Sequence, residues 1–208
     1  MDWFSTLSLA LGTAWTSGIN LYATVFVLGL AQKITAYDLP GGLDVLNNWW
    51  VIGIAAGLYL IEFVADKVPY FDSVWDVAHT FIRVPAGAVL AYSATNEMDA
   101  GLTVAAALLG GGLALSSHGT KAAVRAGINF SPEPVSNWVM SLVEDVIAFV
   151  GAILAIVAPV VIAIVLGLFA IFFLWFAPKV IRALRKMLDA VRALVSGEGF
   201  KSAAEKAP

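Results

Sequence analysis

The fold is decided by a stretch of eighteen residues without a charge: Pro159-Val-Val-Ile-Ala-Ile-Val-Leu-Gly-Leu-Phe-Ala-Ile-Phe-Phe-Leu-Trp-Phe176. A helix of about 20 mostly apolar residues crosses the hydrocarbon core of a bilayer. The whole chain of 208 residues shares this character, since 60% is apolar and 13% charged, with a mean hydropathy of +0.86. A soluble domain has about 25% charged residues. The composition therefore excludes a soluble enzyme, a disordered protein and a nucleic-acid-binding protein.

Hydropathy predicts an all-α, multi-pass membrane bundle of about six transmembrane helices. The predicted spans cover residues 5–30, 49–64, 73–94, 100–117, 137–157 and 159–176. The last two are separated at Pro159, because proline starts a helix but disfavours helical geometry in the residue before it. One or two of the spans are expected to be broken or re-entrant.

Two spans contain residues that interrupt a helix. In the first span, Ser17, Gly18 and Asn20 predict a break or a re-entrant hairpin, and ordinary small-residue packing is the alternative. In the third span, Pro85 removes a backbone hydrogen bond and predicts a kink close to Arg83. Broken helices inside a membrane face protein or a cavity, and their free ends bind ions and polar ligands.

Lysine and arginine predict the orientation, because they favour the cytoplasmic side. A run of them follows the last span: Lys179, Arg182, Arg185, Lys186 and Arg192. With six crossings, Lys67, Lys121 and Arg125 fall on the same side. Both termini are therefore predicted to be cytoplasmic.

The chain divides into a membrane domain at 1–177 and two short elements after it. Residues 178–195 predict a basic amphipathic helix, with Lys179, Arg182, Arg185 and Lys186 towards anionic lipid of the inner leaflet. This helix acts as a topology anchor or, alternatively, docks a partner. Residues 196–208 predict a disordered tail.

An internal repeat is predicted within the membrane domain. Residues 86–91 (Ala-Gly-Ala-Val-Leu-Ala) recur at 150–155 (Val-Gly-Ala-Ile-Leu-Ala). The copies would extend over about 54–94 and 109–157. They lie two helices apart, so they would be parallel.

Ionisable residues lie within the predicted spans, where a charge costs several kcal/mol. In the third span, Asp72, Asp76, His79 and Arg83 have spacings of four, three and four, which places them on one face of a helix. The acids of the neighbouring spans are Glu62, Glu144 and Asp145.

These residues have two interpretations. In the first, they form a structural ion-pair network in which Glu144 or Asp145 neutralises Arg83. In the second, they form a proton or cation site, because four carboxylates (Glu62, Asp76, Glu144 and Asp145) outnumber one arginine. A surplus carboxylate in a low dielectric holds a proton or a cation.

Other chemistry is poorly supported. The chain has no cysteine and two histidines, so we expect no cofactor and no metal site, with two carboxylates and a histidine as the remaining metal alternative. Ser116, Ser117 and His118 are adjacent and do not face one another as nucleophile and base, so we expect no enzyme. In the loop predicted at 116–137, His118, Lys121 and Arg125 form a basic face towards lipid or, alternatively, contact a phosphate headgroup.

Several polar phrases carry a family resemblance. They are 17–24 (Ser-Gly-Ile-Asn-Leu-Tyr-Ala-Thr), 65–69 (Ala-Asp-Lys-Val-Pro), 72–76 (Asp-Ser-Val-Trp-Asp), 79–83 (His-Thr-Phe-Ile-Arg), 118–121 (His-Gly-Thr-Lys), 131–134 (Ser-Pro-Glu-Pro), 136–137 (Ser-Asn) and 144–145 (Glu-Asp). Over roughly residues 5–160 the chain resembles the domain-of-unknown-function 4126 family. The resemblance implies a small bacterial integral membrane protein, expected in the inner membrane, and no particular activity.

Two functions follow from these observations. The first is a small proton- or cation-coupled transporter or channel for an unknown solute or ion, which could form a homo-oligomer to enclose a path. The second is a lipid-carrier or membrane-organising protein with a purely structural network. For the second, Arg83-Val-Pro85 and residues 131–136 resemble half-helix motifs of the DedA family, although that family's second arginine is missing.

Overall fold

The structure, a computed structural model, describes residues 1–35, 37–68, 71–129 and 134–195. Its helices are α1 (Trp3–Ile19), α2 (Leu21–Ile34), a short 3-10 helix (Gly41–Leu46), α3 (Trp49–Ala65), α4 (Phe71–Thr95), α5 (Ala100–Asn129), α6 (Pro134–Val157) and α7 (Pro159–Val195). The predicted all-α class is confirmed, since the described residues contain no strand. The break at Pro159 is also observed, between α6 and α7.

The first predicted span is two helices joined at Asn20. The backbone of Asn20 is extended (φ −148°, ψ 102°), and its side chain accepts a hydrogen bond from the backbone N–H of Ala23, which caps α2. Asp2 caps α1 by accepting hydrogen bonds from Ser5, and these bonds hold the pKa of the Asp2 carboxyl below its usual value.

The two helices form a hairpin. The hydroxyl of Tyr37, just after α2, lies 3.2 Å from the sulfur of Met1, just before α1. A cavity of about 450 Å³ is lined both by Met1 and Trp3 and by residues of the connection after α2, such as Asp38. The hairpin therefore starts and finishes at the same end of the bundle, which we call the N-terminal end. Asn20, at its apex, lies deep in the bundle.

Helix α1 is the central element, and every residue from 12 to 20 is buried. Its glycines permit close contact: a Cβ on Gly12 would lie 3.1 Å from the Cβ of Ala155 in α6. Further along, a Cβ on Gly151 of α6 would lie 2.6 Å from the side chain of Thr16. The residue number of α6 falls as that of α1 rises, so the two helices are antiparallel.

Helices α4 and α5 cross at small residues. A Cβ on Gly87 would lie 2.5 Å from the Cβ of Ala114, and one on Gly110 would lie 2.5 Å from the Cβ of Ala91. Pro85 lies one turn before the close contact at Ala88 and Gly111, and α4 continues through this proline as a helix. The small residues of this crossing let the two backbones approach.

The outside of the bundle is apolar and much of the inside is polar. Trp50 and Phe81 are each 80% exposed, whereas Thr13, Ser17 and Arg83 are 0% exposed. In the described part of the chain, three helices are long and apolar enough to cross a membrane: Ala100–Ile128, Val135–Val157 and Pro159–Ala193. The fold is thus all-helical, with apolar helices compatible with membrane embedding. The predicted count of six spans is not confirmed, since α2 and α3 are shorter apolar helices.

Two helix boundaries differ from the predicted ones. Helix α5 extends to Asn129, so the loop predicted from residue 116 is largely helical. Met1 lines the same cavity as Glu97, which follows α4, whereas Lys67 precedes α4, so the two lie at opposite ends of the bundle. The orientation of the termini in a membrane stays a prediction. Helix α7 continues through Pro178, so no separate helix begins there.

The chain divides into two compact units, Met1–Leu168 and a second one that begins at Phe169. In the second unit, Phe172 stacks on Phe176, and the Lys179 ammonium lies 3.2 Å from the centre of the Trp175 ring. The tail predicted at 196–208 lies outside the described residues. The internal repeat stays a prediction.

Candidate functional site

A network of charged side chains is buried at the far end of the hairpin. Eight of its members are at most 6% exposed and come from α3, the turn after it, α4, α5 and α6: Glu62, Asp66, Asp76, Arg83, Lys121, Arg125, Glu144 and Asp145. Burying a charge is costly unless it is paired and hydrogen-bonded. The contacts of the three cations therefore decide what the network is.

Arg83 binds the acids of α3 and of its own helix. Its Nη2 lies 2.6 Å from Oε1 of Glu62, and its Nη1 lies 3.4 Å from Oδ1 of Asp76. The same Nη1 donates to the backbone oxygen of Gly18 at 3.4 Å. The prediction that Glu144 or Asp145 neutralises Arg83 is wrong, because Glu62 occupies that position.

Lys121 lies at the centre of the network. Its ammonium is 2.9 Å from Oδ2 of Asp66, 3.5 Å from Oε2 of Glu144, 3.6 Å from Oε1 of Glu62 and 3.7 Å from Oδ1 of Asp76. One cation thus faces four carboxylates. Among the described residues, acids of α3, α4 and α6 meet at this one cation.

Arg125 closes the network one turn further along α5. Its Nε donates to both oxygens of Glu144, at 2.9 and 3.1 Å, and its Nη2 contacts Glu144 as well. Nη2 also lies 3.0 Å from Oδ2 of Asp66, and Nη1 donates to the Asp66 backbone oxygen at 2.8 Å. Asn137 contributes its Oδ1 at 3.4 Å. This arginine ties the start of α6 to the turn after α3.

His118 connects Arg83 to α4. Arg83 Nη1 lies 3.0 Å from Nδ1 of His118, while Nε2 lies 3.0 Å from the backbone oxygen of Asp76 and 2.8 Å from Oγ1 of Thr80. A guanidinium only donates hydrogen bonds. Nδ1 is therefore the acceptor, and Nε2 carries the proton of a neutral imidazole.

The hairpin apex contacts the network on both sides of its break. The last carbonyls of a helix have no partner within the helix and carry partial negative charge. Here those of α1 accept from cations: Gly18 from Arg83 and Ile19 from Lys121 at 3.3 Å. Asn20 donates from Nδ2 to Oδ1 of Asp145 at 3.1 Å. The break in the helix thus lies against the charged residues.

His79 lies beside the network and does not join its ion pairs. Its Nδ1 is 2.8 Å from the backbone oxygen of Trp75, and its Nε2 is 3.1 Å from the hydroxyl of Tyr22 in α2. It therefore connects α4 to the hairpin. The side chain of Asp72, the first residue of the predicted stripe, lies outside the part of the chain that the structure describes.

The described carboxylates outnumber the described cations of the network. The network contains five acids and the three cations Arg83, Lys121 and Arg125. Four buried carboxylate oxygens have no hydrogen-bond partner among the described residues: Glu62 Oε2, Asp66 Oδ1, Asp76 Oδ2 and Asp145 Oδ2. Lys67 lies at the edge, where it donates to Ser141 at 3.3 Å. No group of three metal-ligating side chains is arranged to hold a metal within the described ranges.

The structure places the predicted site residues in different surroundings. Glu62, Asp76, Arg83 and Glu144 meet in the network, and Asp145 meets the hairpin. Ser17 is fully buried and donates to the backbone oxygen of Ala14 within α1. At Gly18, a Cβ would lie 2.3 Å from the backbone oxygen of Ala114, so α1 and α5 touch there.

Lys121 and Arg125 were predicted to face lipid or a headgroup, and this interpretation is wrong, because both are at most 5% exposed inside the network. Their spacing of four residues, together with the intramembrane acids that lack partners, is the signal that could have placed them there. Asp66 was not predicted as a site residue either, since it lies beyond the end of α3.

No curated protein and no solved structure matches the chain. One family does match, over residues 7–179, and this range contains the whole network and all of the hairpin except the first residues of α1. The chain belongs to the family described as domain of unknown function (DUF4126).

Proposed function

We propose that this protein is a small proton- or cation-coupled membrane transporter or channel, and that the buried network is its coupling site. The observation that carries this proposal is the surplus of carboxylates. Five acids and three cations leave the described part of the network with a formal charge of −2 when every group is ionised.

A purely structural network has no use for this surplus. Replacing buried ion pairs by apolar residues is often neutral or stabilising, whereas an uncompensated buried charge is strongly destabilising. A surplus buried carboxylate therefore holds a proton or a cation. Groups that take up and release such charges inside a membrane belong to ion and proton pathways.

The re-entrant hairpin supports the same function. Discontinuous helices in transporters bring their free ends to the substrate and ion site. In this protein the backbone oxygens of Gly18 and Ile19, at the end of α1, accept hydrogen bonds from Arg83 and Lys121. A hairpin anchored at one end of the bundle and in contact with the site at its apex is an element that can move when the charge of the site changes.

The membrane arrangement belongs to the same proposal. Helices α3 to α7 cross a bacterial inner membrane, and the hairpin enters it from the non-cytoplasmic side. Four basic residues follow the apolar part of α7, and all are exposed: Lys179, Arg182, Arg185 and Lys186. In this proposal they face anionic lipid of the inner leaflet. A homo-oligomer would help so short a chain to enclose a path. The protein catalyses no reaction.

Charge movement in proteoliposomes tests the proposal. Proteoliposomes on a solid-supported membrane are given jumps of pH, Na⁺, K⁺ and pooled small solutes, and the transient current is recorded. We compare wild type with Asp76→Asn, which keeps an acceptor for Arg83, and with Asp38→Asn, which changes an exposed acid outside the network.

We expect a current for wild type and for Asp38→Asn, and at least a tenfold loss for Asp76→Asn although it elutes as a folded protein in size-exclusion chromatography. Currents no larger than those of empty liposomes in every jump would refute the proposal. Equal currents in wild type and Asp76→Asn would refute the assignment of the site.

A further inference from the structure

Asp145 differs from every other acid of the network. The other four each lie within 4 Å of at least one cation, whereas none of the described cations lies that close to Asp145. Its described side-chain partner is the neutral amide of Asn20, which donates to Oδ1 at 3.1 Å. Its Oδ2 is buried and has no partner among the described residues.

The surroundings of Asp145 contain both signs of charge. The titratable groups whose charges act on it from the packed elements are Tyr59, Asp66 and Lys67 from α3 and the turn after it, and Lys121 from α5. Glu144 precedes it on α6 and forms an ion pair with Arg125. Asp145 is 6% exposed, so an anion here would be buried beside other acids without a direct counterion.

We propose that Asp145 is the proton-binding carboxyl of the network, and that Asn20 couples its protonation to the re-entrant hairpin. This inference rests on the proposed function, because it names the group that carries the coupled proton. A neutral carboxyl fits the geometry: Oδ1 accepts from Asn20 as a carbonyl, and Oδ2 carries the proton. Each of the other four described acids of the network has a cation as a partner.

Loss of that proton changes the bond to Asn20. A hydrogen bond to an ionised carboxylate is roughly twice as strong as one to a neutral acceptor, and an anion is stabilised near a helix N-terminus. Asn20 is the N-cap of α2. The ionised form of Asp145 therefore holds the hairpin apex firmly, and the protonated form loosens it.

Asn20 can transmit this change because it connects three elements. Its Oδ1 accepts from Ala23 at 2.9 Å and so caps α2, while its backbone N–H donates to Thr16 at 2.9 Å and so ends α1. Its Nδ2 donates to Oδ1 of Asp145 at 3.1 Å. Any displacement of the amide changes the ends of both hairpin helices.

Infrared difference spectroscopy tests the proton. The purified protein in lipid nanodiscs is titrated with acid and base, and the carbonyl band of a protonated carboxylic acid is followed in wild type, Asp145→Asn and Asp38→Asn. We expect a band that titrates in wild type and Asp38→Asn and is lost in Asp145→Asn. Should Asp145→Asn fail to fold, Asp145→Glu must shift the band in frequency. A band unchanged by these substitutions at 145 overturns the assignment.

A spin label tests the coupling. The chain has no cysteine, so Val25→Cys on α2 provides one labelling position. We expect the label to become more mobile at low pH in wild type, and to be mobile at every pH when Asp145→Asn is added. Mobility that is independent of pH in wild type overturns the coupling. A titrating band and a responsive label without any transport current would refute the proposed function and leave this inference standing.

Discussion

The pairing of Arg83 gives the sharpest prediction. Its guanidinium donates to Glu62 at 2.6 Å, and both side chains are 0% exposed. Arg83→Met keeps the volume and removes the charge. A hydrogen bond between charged groups contributes about 1.5–3 kcal/mol, and breaking a buried pair from one side costs about 3–5 kcal/mol. We expect the lower part of that range, because Lys121 lies 3.6 Å from Glu62 and compensates in part.

A second substitution identifies the partner. Adding Glu62→Gln to Arg83→Met removes the carboxylate that was left without its arginine, so we expect it to recover about 1–3 kcal/mol. Adding Glu144→Gln to Arg83→Met removes the negative charge and one of the two acceptor oxygens that Arg125 uses, so we expect a further loss of about 1–3 kcal/mol. The two double variants therefore move the free energy of unfolding in opposite directions.

The assay is reversible unfolding of the purified protein by SDS in mixed micelles, followed by circular dichroism. Arg182→Met is the matched control, because this arginine is exposed and surface substitutions change stability by about 0.5 kcal/mol or less. If Glu144→Gln restored the stability of Arg83→Met as well as Glu62→Gln did, the described pairing would be wrong.

Two further predictions concern packing and topology. Gly18→Ala places a Cβ 2.3 Å from the backbone oxygen of Ala114, so we expect a loss of about 1–3 kcal/mol in the same assay, whereas Gly112→Ala meets nothing within 4 Å and should be neutral or slightly stabilising. For topology, single cysteines at Trp3 and Gly127 should react with an impermeant thiol reagent from opposite sides of the membrane, because the hairpin returns to its own end. Labelling of both from one side would show that α1 and α2 cross as one span.

The sequence contains enough to predict the class of fold and part of the site. Periodicity places Asp76 and Arg83 on one face of α4, and the cost of intramembrane charge marks Glu62 and Glu144 as residues that need partners. Composition alone does not say which cation each acid meets, because that depends on how helices rotate and cross. Small residues at the contact of α4 and α5, such as Gly87 and Gly110, set that geometry.

The error on Lys121 and Arg125 has a clear physical origin. A span length of about 20 residues ends the fourth span at residue 117, so the next two cations on the same helix fall outside it by counting. Helix α5 has 30 residues and continues past that limit. Lys121 and Arg125 therefore lie on the helix, where they contact the acids of α3, of the turn after it and of α6. Helix length, and therefore burial, was decided by the partners available to these side chains.

The hairpin has a consequence for biosynthesis. Its helices, of 17 and 14 residues, are each shorter than the roughly 20 residues that a stable span requires. Asn20 finds Asp145 only 125 residues later in the chain, which at synthesis rates of about 5–20 residues per second is a delay of roughly 6–25 seconds. The hairpin is therefore synthesised well before its partner helix, and its contact with Asp145 forms only after α6 has been made.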